Sequence, residues 1–424
     1  MTVTALLLIG LVLALLVLRQ PVVVILGAAT AFCYALISHG NVGWIVVDAW
    51  EAANRELLLS IPLYILAGNL MSRGAMAERL IRVSKALAAP VPAGLAIAAV
   101  ISCALFAAVS GSGTVTLLAI GPVMYPALVQ AGYPRPFAVG LLCAGGTLGI
   151  IIPPSIPLIL YGVMTQTSVT ELFLAGIGPG LLLIALLSGY SIARHWRLRG
   201  AGWDVAEIGA AIRSGAWSLF MPVLILGGIY SGYFTATESA GVAVVYAVLV
   251  ETLIHRRLGS RDVHAVVIET VQLLGALFPV LMLALSLNVF LTYEQVPESL
   301  VAGLASAIDG PGTFLLFTNV LLLLVGCLVD IGSAILILAP LLKPLAAAQG
   351  IDPVHLGILM TVNLELGYLT PPMGLNLIVA TIAFREDFWT ICRAVLPFIA
   401  LLLAGLIVVT YVPQLSLFLL ERPG

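Results

Sequence analysis

Four polar clusters stand inside segments that are otherwise apolar. Ser110-Gly-Ser-Gly-Thr-Val-Thr116 sets hydroxyls between glycines. Asp330 precedes Ile-Gly-Ser333, Asn363-Leu-Glu365 precedes Thr370, and Asn376 follows shortly after. Hydroxyls, freed carbonyls and helix-end amides at one point can hold a small ion or an anionic group. Half-helix N-termini attract anions, and half-helix C-termini with unwound carbonyls attract cations. The plainer reading of Ser112 and Thr114 is that they cap a half-helix. Asp330 is a rare carboxylate in a run long enough to enter a bilayer, where such a group is functional by default. It also fits the N-cap of a half-helix beginning near Gly332, and the two roles are compatible. Glu365 has two readings: a proton or cation site, or a partner for a polar neighbour that holds a helix break open.

These clusters need elements that bring them to membrane depth and interrupt the helix there. The 424 residues are 61% hydrophobic and 9% charged, against roughly 25% charged residues in a soluble domain. Long apolar runs such as 6–18 do not alternate, which excludes a β-barrel and predicts an all-α polytopic membrane protein. The N-terminus lacks a basic n-region, so 6–18 reads as a retained span. Spans are expected at about 3–18, 21–38, 57–72, 136–164, 172–195, 216–233, 235–255, 268–293, 354–384 and 390–413. Two of them cannot stay helical. Ala144–Pro157 holds Gly145, Gly146, Gly149, Pro153, Pro154 and Pro157, and Leu366–Gly374 holds Thr370, Pro371 and Pro372. Such breaks are tolerated at membrane depth only where the backbone faces protein or a polar cavity. Segments 94–130 and 312–348 break at Ser110–Gly113 and Asp330–Ser333. Their arms of about 14–17 residues are short for a ~30 Å core, so each is read as a re-entrant hairpin.

The two halves correspond at an offset of about 218 residues, with tip matching tip and break matching break. The domain reading is a first repeat over 1–200 and a second over 213–424, with a transport domain of about 94–164 plus 312–384. Let the loop with Arg194, Arg197, Arg199 and Arg213 be cytoplasmic, and let the hairpins add no crossing. Arg19, Arg73, Arg79, Arg82, Lys85, Arg135, Arg256, Arg257, Arg261, Arg385 and Arg393 then fall on the same side, leaving Arg55, Lys343 and Arg422 elsewhere. The positive-inside rule is met. Each half then has an odd number of crossings, so the repeats are inverted and both termini face outside.

The remaining polar residues have simpler readings. Thr235-Ala-Thr-Glu238 fits a capping box. Asn69, Asn288 and Asn319 suit interhelical hydrogen bonds, and His39 an interface position. The helical pieces 76–87, with Met76, Leu80, Val83 and Leu87 on one face, and 42–56, with Trp44 and Trp50, read either as interface helices or as loop helices against the protein. The single cysteines Cys33, Cys103, Cys143, Cys327 and Cys392 read as packing residues, and neither a disulfide framework nor a metal cluster is supported. No Walker A loop, paired catalytic His or second Asp motif is present, which weighs against ATP hydrolysis and against an intramembrane enzyme.

The motifs at these sites resemble a known family. Ser110-Gly-Ser112, Ala144–Pro157, Phe234–Glu238, Ala334–Pro340 and Asn363–Asn376 are similar to the large membrane subunit of tripartite ATP-independent periplasmic (TRAP) transporters. The resemblance implies an elevator-type fold and a sodium-coupled importer of carboxylate solutes in a bacterial inner membrane. It implies two partners, a small membrane subunit and a periplasmic substrate-binding protein, with no nucleic acid and no cofactor besides Na+. Carried over residue by residue, it puts Ser110, Ser112, Gly149, Pro153 and Pro154 at one sodium site. Asp330, Gly332, Thr370 and Pro371 fall at the other. Substrate would lie between the tips, near Gly113, Thr114, Thr147, Ser155, Ser333, Asn363, Glu365 and Asn376. Gly113 and Ile331 depart from the family's usual serine and proline, which bears on the ligand set and not on the fold. The alternatives are a stand-alone sodium- or proton-coupled dicarboxylate or citrate carrier and, remotely, an enzyme using Asp330 and Glu365.

Overall fold

The computed structural model describes residues 2–18, 20–36, 42–198, 202–296, 299, 301, 310–371 and 374–420. Arg19, His39, Arg199, Pro372 and Arg422 lie outside the described residues. Every regular element among them is helical. A first group comprises α1 (Thr2–Val17), α2 (Val22–Leu36), α3 (Trp44–Ala53), α4 (Ser60–Arg73) and α5 (Met76–Ala88). The first hairpin is α6 (Gly94–Ser110) and α7 (Gly113–Gln130). The first broken helix is α8 (Arg135–Gly146), a single turn α9 (Leu148–Ile151) and α10 (Ile156–Thr165), followed by α11 (Val169–His195). Next come α12 (Val205–Tyr230), α13 (Ala236–Leu249, extended by a π turn to Ile254) and α14 (Ser260–Tyr293). The second hairpin is α15 (Pro311–Gly326) and α16 (Ile331–Ala348), and the second broken helix is α17 (Pro353–Tyr368) and α18 (Leu375–Phe384). The chain closes with α19 (Phe388–Tyr411) and the single turn α20 (Gln414–Leu417).

Eight helices among the described residues are long and apolar enough to cross a membrane, or nine if the bent pair Glu56–Arg73 and Met76–Ala88 counts as one span. Length alone would include α7 and α16. Each, however, follows its partner arm after a short turn and packs back along it, as a hairpin arm does. Helices α12 and α14 begin well before the expected 216 and 268. Their polar first turns lie outside the apolar core and find polar partners. Asp204 caps α12, and Glu207 accepts from Arg82 at 2.8 and 3.0 Å.

Packing follows the repeat register. The arm α7 packs on α18, and α16, which stands at the equivalent place in the second half, packs on α10. Likewise α8 packs on α19, and α17 on α11. Helices α11 and α19 therefore cover the hairpins and broken helices.

Helix α5 joins the hairpin-and-break unit to the remainder, packing on α6 on one side and α12 on the other. Its buried residues include Met76, Leu80, Val83 and Ser84. Leu87, expected on the same face, lies in the last turn of the helix and is exposed instead. Trp44 and Trp50 on α3 are both exposed.

Three arginines of the basic set meet the first halves of α12 and α14. Arg79 donates to the Ser214 carbonyl at 2.5 Å, Arg73 pairs with Glu269, and Arg82 with Glu207. Two cations outside that set also share a place. Arg55 donates to Val163 O at 3.1 Å and Lys343 to Thr165 O, so both serve the C-terminal carbonyls of α10. Cations are favoured there because those carbonyls lack helical donors. The capping box at Thr235 forms, with Glu238 N donating to Thr235 Oγ1 at 3.2 Å and Thr235 N to Glu238 Oε2 at 2.8 Å. Asn69 donates to Thr270 Oγ1 and Asn319 to Thr410 Oγ1, both at 3.1 Å. Asn288 instead lines an apolar crevice between α2, α14 and α16.

Candidate functional site

The first tip is built by two residues. Gly111 takes φ +60°, a left-handed conformation that glycine adopts without steric cost, and Ser112 is extended. Ser112 caps α7 through Val115 N at 3.5 Å. Its carbonyl accepts from Thr116 Oγ1 at 2.9 Å, and Thr116 Oγ1 lies 2.8 Å from Ser110 Oγ. Ser110 is buried against α4, where a Cβ on Gly68 would stand 3.1 Å from the Ser110 Cα.

The tip is pressed into the first break. Ile156 N donates to Gly111 O at 3.3 Å, and a Cβ on Gly111 would meet the Pro154 carbonyl at 2.8 Å. A Cβ on Gly149 would stand 2.4 Å from Ser112 O and 2.7 Å from Thr116 Oγ1. The glycines of the break thus serve close backbone approach. The hydroxyls of Ser110 and Thr116 and the carbonyl of Ser112 meet beside Gly149, and the Pro154 carbonyl lies against Gly111 of the same tip. A neutral, all-oxygen donor set of this kind suits a hard monovalent cation. Pro153 is buried beside it, joined to Pro154 by a cis bond.

The second tip differs from the expected one. The helix breaks at Cys327–Val329, before Asp330, and Ile331–Ser333 are already helical. Asp330 is the N-cap: Ser333 N donates to Oδ2 at 2.9 Å and Ser333 Oγ to Oδ1 at 2.6 Å. The equivalent of Asp330 is therefore Ser112, since both cap the second arm of a hairpin. Tyr368 receives the Ile331 N–H on its hydroxyl at 2.9 Å and so ties this tip to the second break. Gly367 meets Gly326 so closely that a Cβ would fall 2.4 Å from the Gly326 carbonyl carbon.

A cavity of about 490 Å³ joins the tips. Ser110–Val115 line it from the first hairpin and Asp330–Gly332 from the second, with Ile150 and Tyr368 from the breaks. The opposite wall is Ile65 and Asn69 of α4 and Leu273 and Leu277 of α14.

Several expected substrate contacts are engaged elsewhere. Thr147 donates to Ala144 O at 2.6 Å as a helix C-cap, and Ser155 caps α10 through Leu158 N at 3.3 Å. Ser333 serves Asp330. Asn363 turns to α15, donating to Asn319 O at 3.1 Å and Oδ1 at 2.7 Å. Glu365 and Asn376 lie behind the first tip. Asn376 Nδ2 donates to Glu365 Oε1 at 2.9 Å, and Thr114 Oγ1 to Asn376 Oδ1 at 3.4 Å. Gly113 and Thr114 line the cavity. Thr370 donates to Leu366 O at 2.9 Å and, with Pro371, continues the second break beyond Tyr368.

Residues 9–415 match the family model of the tripartite ATP-independent periplasmic transporter, DctM component. The chain belongs to this family. It is 41% identical over 397 residues to the C4-dicarboxylate TRAP transporter large permease protein DctM of Pseudomonas aeruginosa, covering 93% of each chain. It is 34% identical over 410 residues to the isethionate TRAP transporter permease protein DctMQ of Oleidesulfovibrio alaskensis, covering 95% of this chain and 64% of that protein. Its fold is also that of the Alcanivorax borkumensis YdaH transporter, with a TM-score of 0.61 at 17% identity over 87% and 86% of the chains. This TRAP large permease is thus a multi-pass transport subunit and not an enzyme.

Sequence reasoning for this permease missed Thr116, Tyr368 and the scaffold wall. Thr116 stood in the first cluster, four residues from Ser112, so helical spacing could have raised it. Tyr368 was inside the second break and carried a polar tip with no assigned partner. Nothing in the sequence pointed to Leu273 or Leu277 as cavity residues.

Proposed function

We propose that this permease imports small carboxylate solutes by sodium symport across a bacterial inner membrane. It works with a small TRAP membrane subunit and a periplasmic substrate-binding protein. The observation that carries this reading is the cavity between the tips. An oxygen-rich cluster and a capped carboxylate each sit where a hairpin meets a broken helix, and the solute space lies between them. One sodium ion belongs at Ser110, Ser112, Gly149 and Pro154. The other belongs at Asp330, Thr370 and Pro371, with Gly332 beside it. The solute's anionic group faces Gly113, Thr114 and the amides of the helix starts, where partial positive charge gathers. The name of the Pseudomonas relative supports a dicarboxylate, and that of the Oleidesulfovibrio relative names isethionate, an organic sulfonate, as the solute of that protein.

The reciprocal packing of α7 on α18 and α16 on α10 supports an inverted repeat, with both termini periplasmic. The hairpins, broken helices, α11 and α19 move as an elevator against α1, α2, α4 and α12–α14. The test is uptake into proteoliposomes. The chain with its small subunit and loaded binding protein takes up solute only with an inward sodium gradient, and the chain alone takes up none. Sodium-independent uptake by the full system overturns the reading, and uptake by the lone chain replaces it with a stand-alone carrier.

A further inference from the structure

The side chain of Glu365 is completely enclosed. Oε1 accepts from Asn376 at 2.9 Å, whereas Oε2 has no hydrogen-bond partner among the described residues. Its cover is the first hairpin tip itself. A Cβ on Gly113 would stand 2.6 Å from Oε1 and 3.1 Å from the Gly146 carbonyl, and Thr114 next to it holds the same Asn376.

Among the described residues, no cation answers this carboxyl. On α16, Lys343 is engaged by Thr165 O, and Asp330 carries the same sign as an ionised Glu365. Glu171, Arg194 and His195 stand in the terminal turns of α11, and Arg393 lies near the start of α19. On α17 itself, His355 bonds to Ser416 and Thr410 at the far end, and Tyr368 accepts from Ile331 N. Cys327 ends the first arm of the second hairpin. The faces of α7 and α18 turned to Glu365 bring Gly113, Thr114 and Asn376, none of them titratable.

An ionised carboxylate enclosed with one hydrogen bond and no counter-charge is far costlier than a neutral acid with one unmade bond. A metal ion would neutralise it but needs several oxygens and its own volume. The tip glycine occupies that space, and a proton needs none. We propose that Glu365 is a proton-exchange site, taking up a proton when the first hairpin tip closes over it and releasing it when the tip lifts. The proton passes from cavity water to Oε2 while Oε1 keeps Asn376, and it returns to water by the same route. Tip closure at one sodium site is thereby linked to one proton at the partner repeat's break. The inference draws on the transport reading for its consequence alone, because its test reads protonation and tip opening without solute.

The purified chain in lipid nanodiscs is compared by infrared difference spectroscopy between acid and alkaline buffer. Wild type gives the carbonyl stretch of a protonated carboxylic acid that Glu365→Gln lacks and Asp330→Asn keeps. Glu365→Asp shifts the band and provides the same readout if the Gln variant does not fold. Maleimide labelling of Val115→Cys, with Cys327→Ser, then reports tip opening. Its rate relative to the same double variant carrying Glu365→Gln rises toward alkaline pH, by up to about tenfold per pH unit for one linked proton. Superimposable wild-type and Glu365→Gln spectra overturn the proposal. So does a labelling ratio that is flat with pH, or one that responds to sodium alone.

Discussion

Ser112 and Asp330 hold the same post, the N-cap of a hairpin's second arm, with opposite electrostatic character. The first tip has neutral oxygens only, so a cation there depends on several weak donors at once. Replacing Ser110 and Ser112 together by Ala removes the Ser110 hydroxyl from that set and also the Ser112 cap, worth about 1 kcal/mol, while the Ser112 carbonyl stays. Sodium affinity in uptake assays is expected to fall at least about tenfold, roughly 1.4 kcal/mol, with little change at saturating sodium. Unchanged sodium dependence would leave Ser112 as a cap and Ser110 as a packing residue of the tip. Gly149→Ala is expected to be harsher. Its methyl would lie 2.4 Å from Ser112 O, so the tip cannot seat, and uptake should drop by more than about tenfold at any sodium concentration. Wild-type uptake by Gly149→Ala would show that the close approach is dispensable.

At the scale of elements, α5 connects the hairpin-and-break unit to the remaining helices. Its N-terminus is capped from another helix: Ala75 N and Met76 N donate to the two oxygens of Glu251, both at 2.9 Å, and His255 Nδ1 lies 3.3 Å from Oε2. Both Glu251 and His255 side chains are wholly buried. Glu251 sits in the π turn that ends α13, where the widened helix turns the carboxylate onto the α5 start. Glu251→Ala strands two amides and is expected to cost on the order of 3 kcal/mol, read as a lowered midpoint of thermal unfolding in detergent. Glu251→Gln, which keeps one acceptor, should lose about half as much. Equal midpoints for wild type and Glu251→Ala would dismiss the cap.

For the molecule as a whole, the meeting of Arg73, Arg79 and Arg82 with the first halves of α12 and α14 makes sidedness testable. Trp203 and Tyr233, at opposite ends of α12, are both exposed. An impermeant thiol reagent applied to intact spheroplasts is expected to label Tyr233→Cys and to spare Trp203→Cys until the membrane is opened. The reverse pattern would invert the orientation. Among the described residues, the cations left outside the basic set, Arg55 and Lys343, have their reason in tertiary structure, since both hold the last carbonyls of α10. The positive-inside count could set them aside but could not explain them.

Composition and hydropathy alone determined the class of fold, because long apolar runs without alternation rule out a barrel and leave helices as the way to satisfy the backbone in lipid. The glycine–proline runs at 144–157 and 366–374 also determined where helices break, since those residues disfavour helix locally whatever surrounds them. The spacing of the motifs likewise pointed to the family. Tertiary structure decided everything that depends on which polar atom meets which. Asn363 and Glu365 are two residues apart and equally polar in sequence. The helical turn sends Asn363 to Asn319 on the second hairpin and Glu365 to the tip of the first. Thr147 and Ser155 are capping residues because the breaks place unpaired backbone groups beside them, and Ser333 is held by the cap Asp330. Asp330 was legible as an N-cap and binds Ser333 N in that role, whereas only the tertiary structure showed that the turn before it spans Cys327–Val329. Local backbone chemistry is written residue by residue, whereas the partners of a buried side chain are chosen by helices hundreds of residues away.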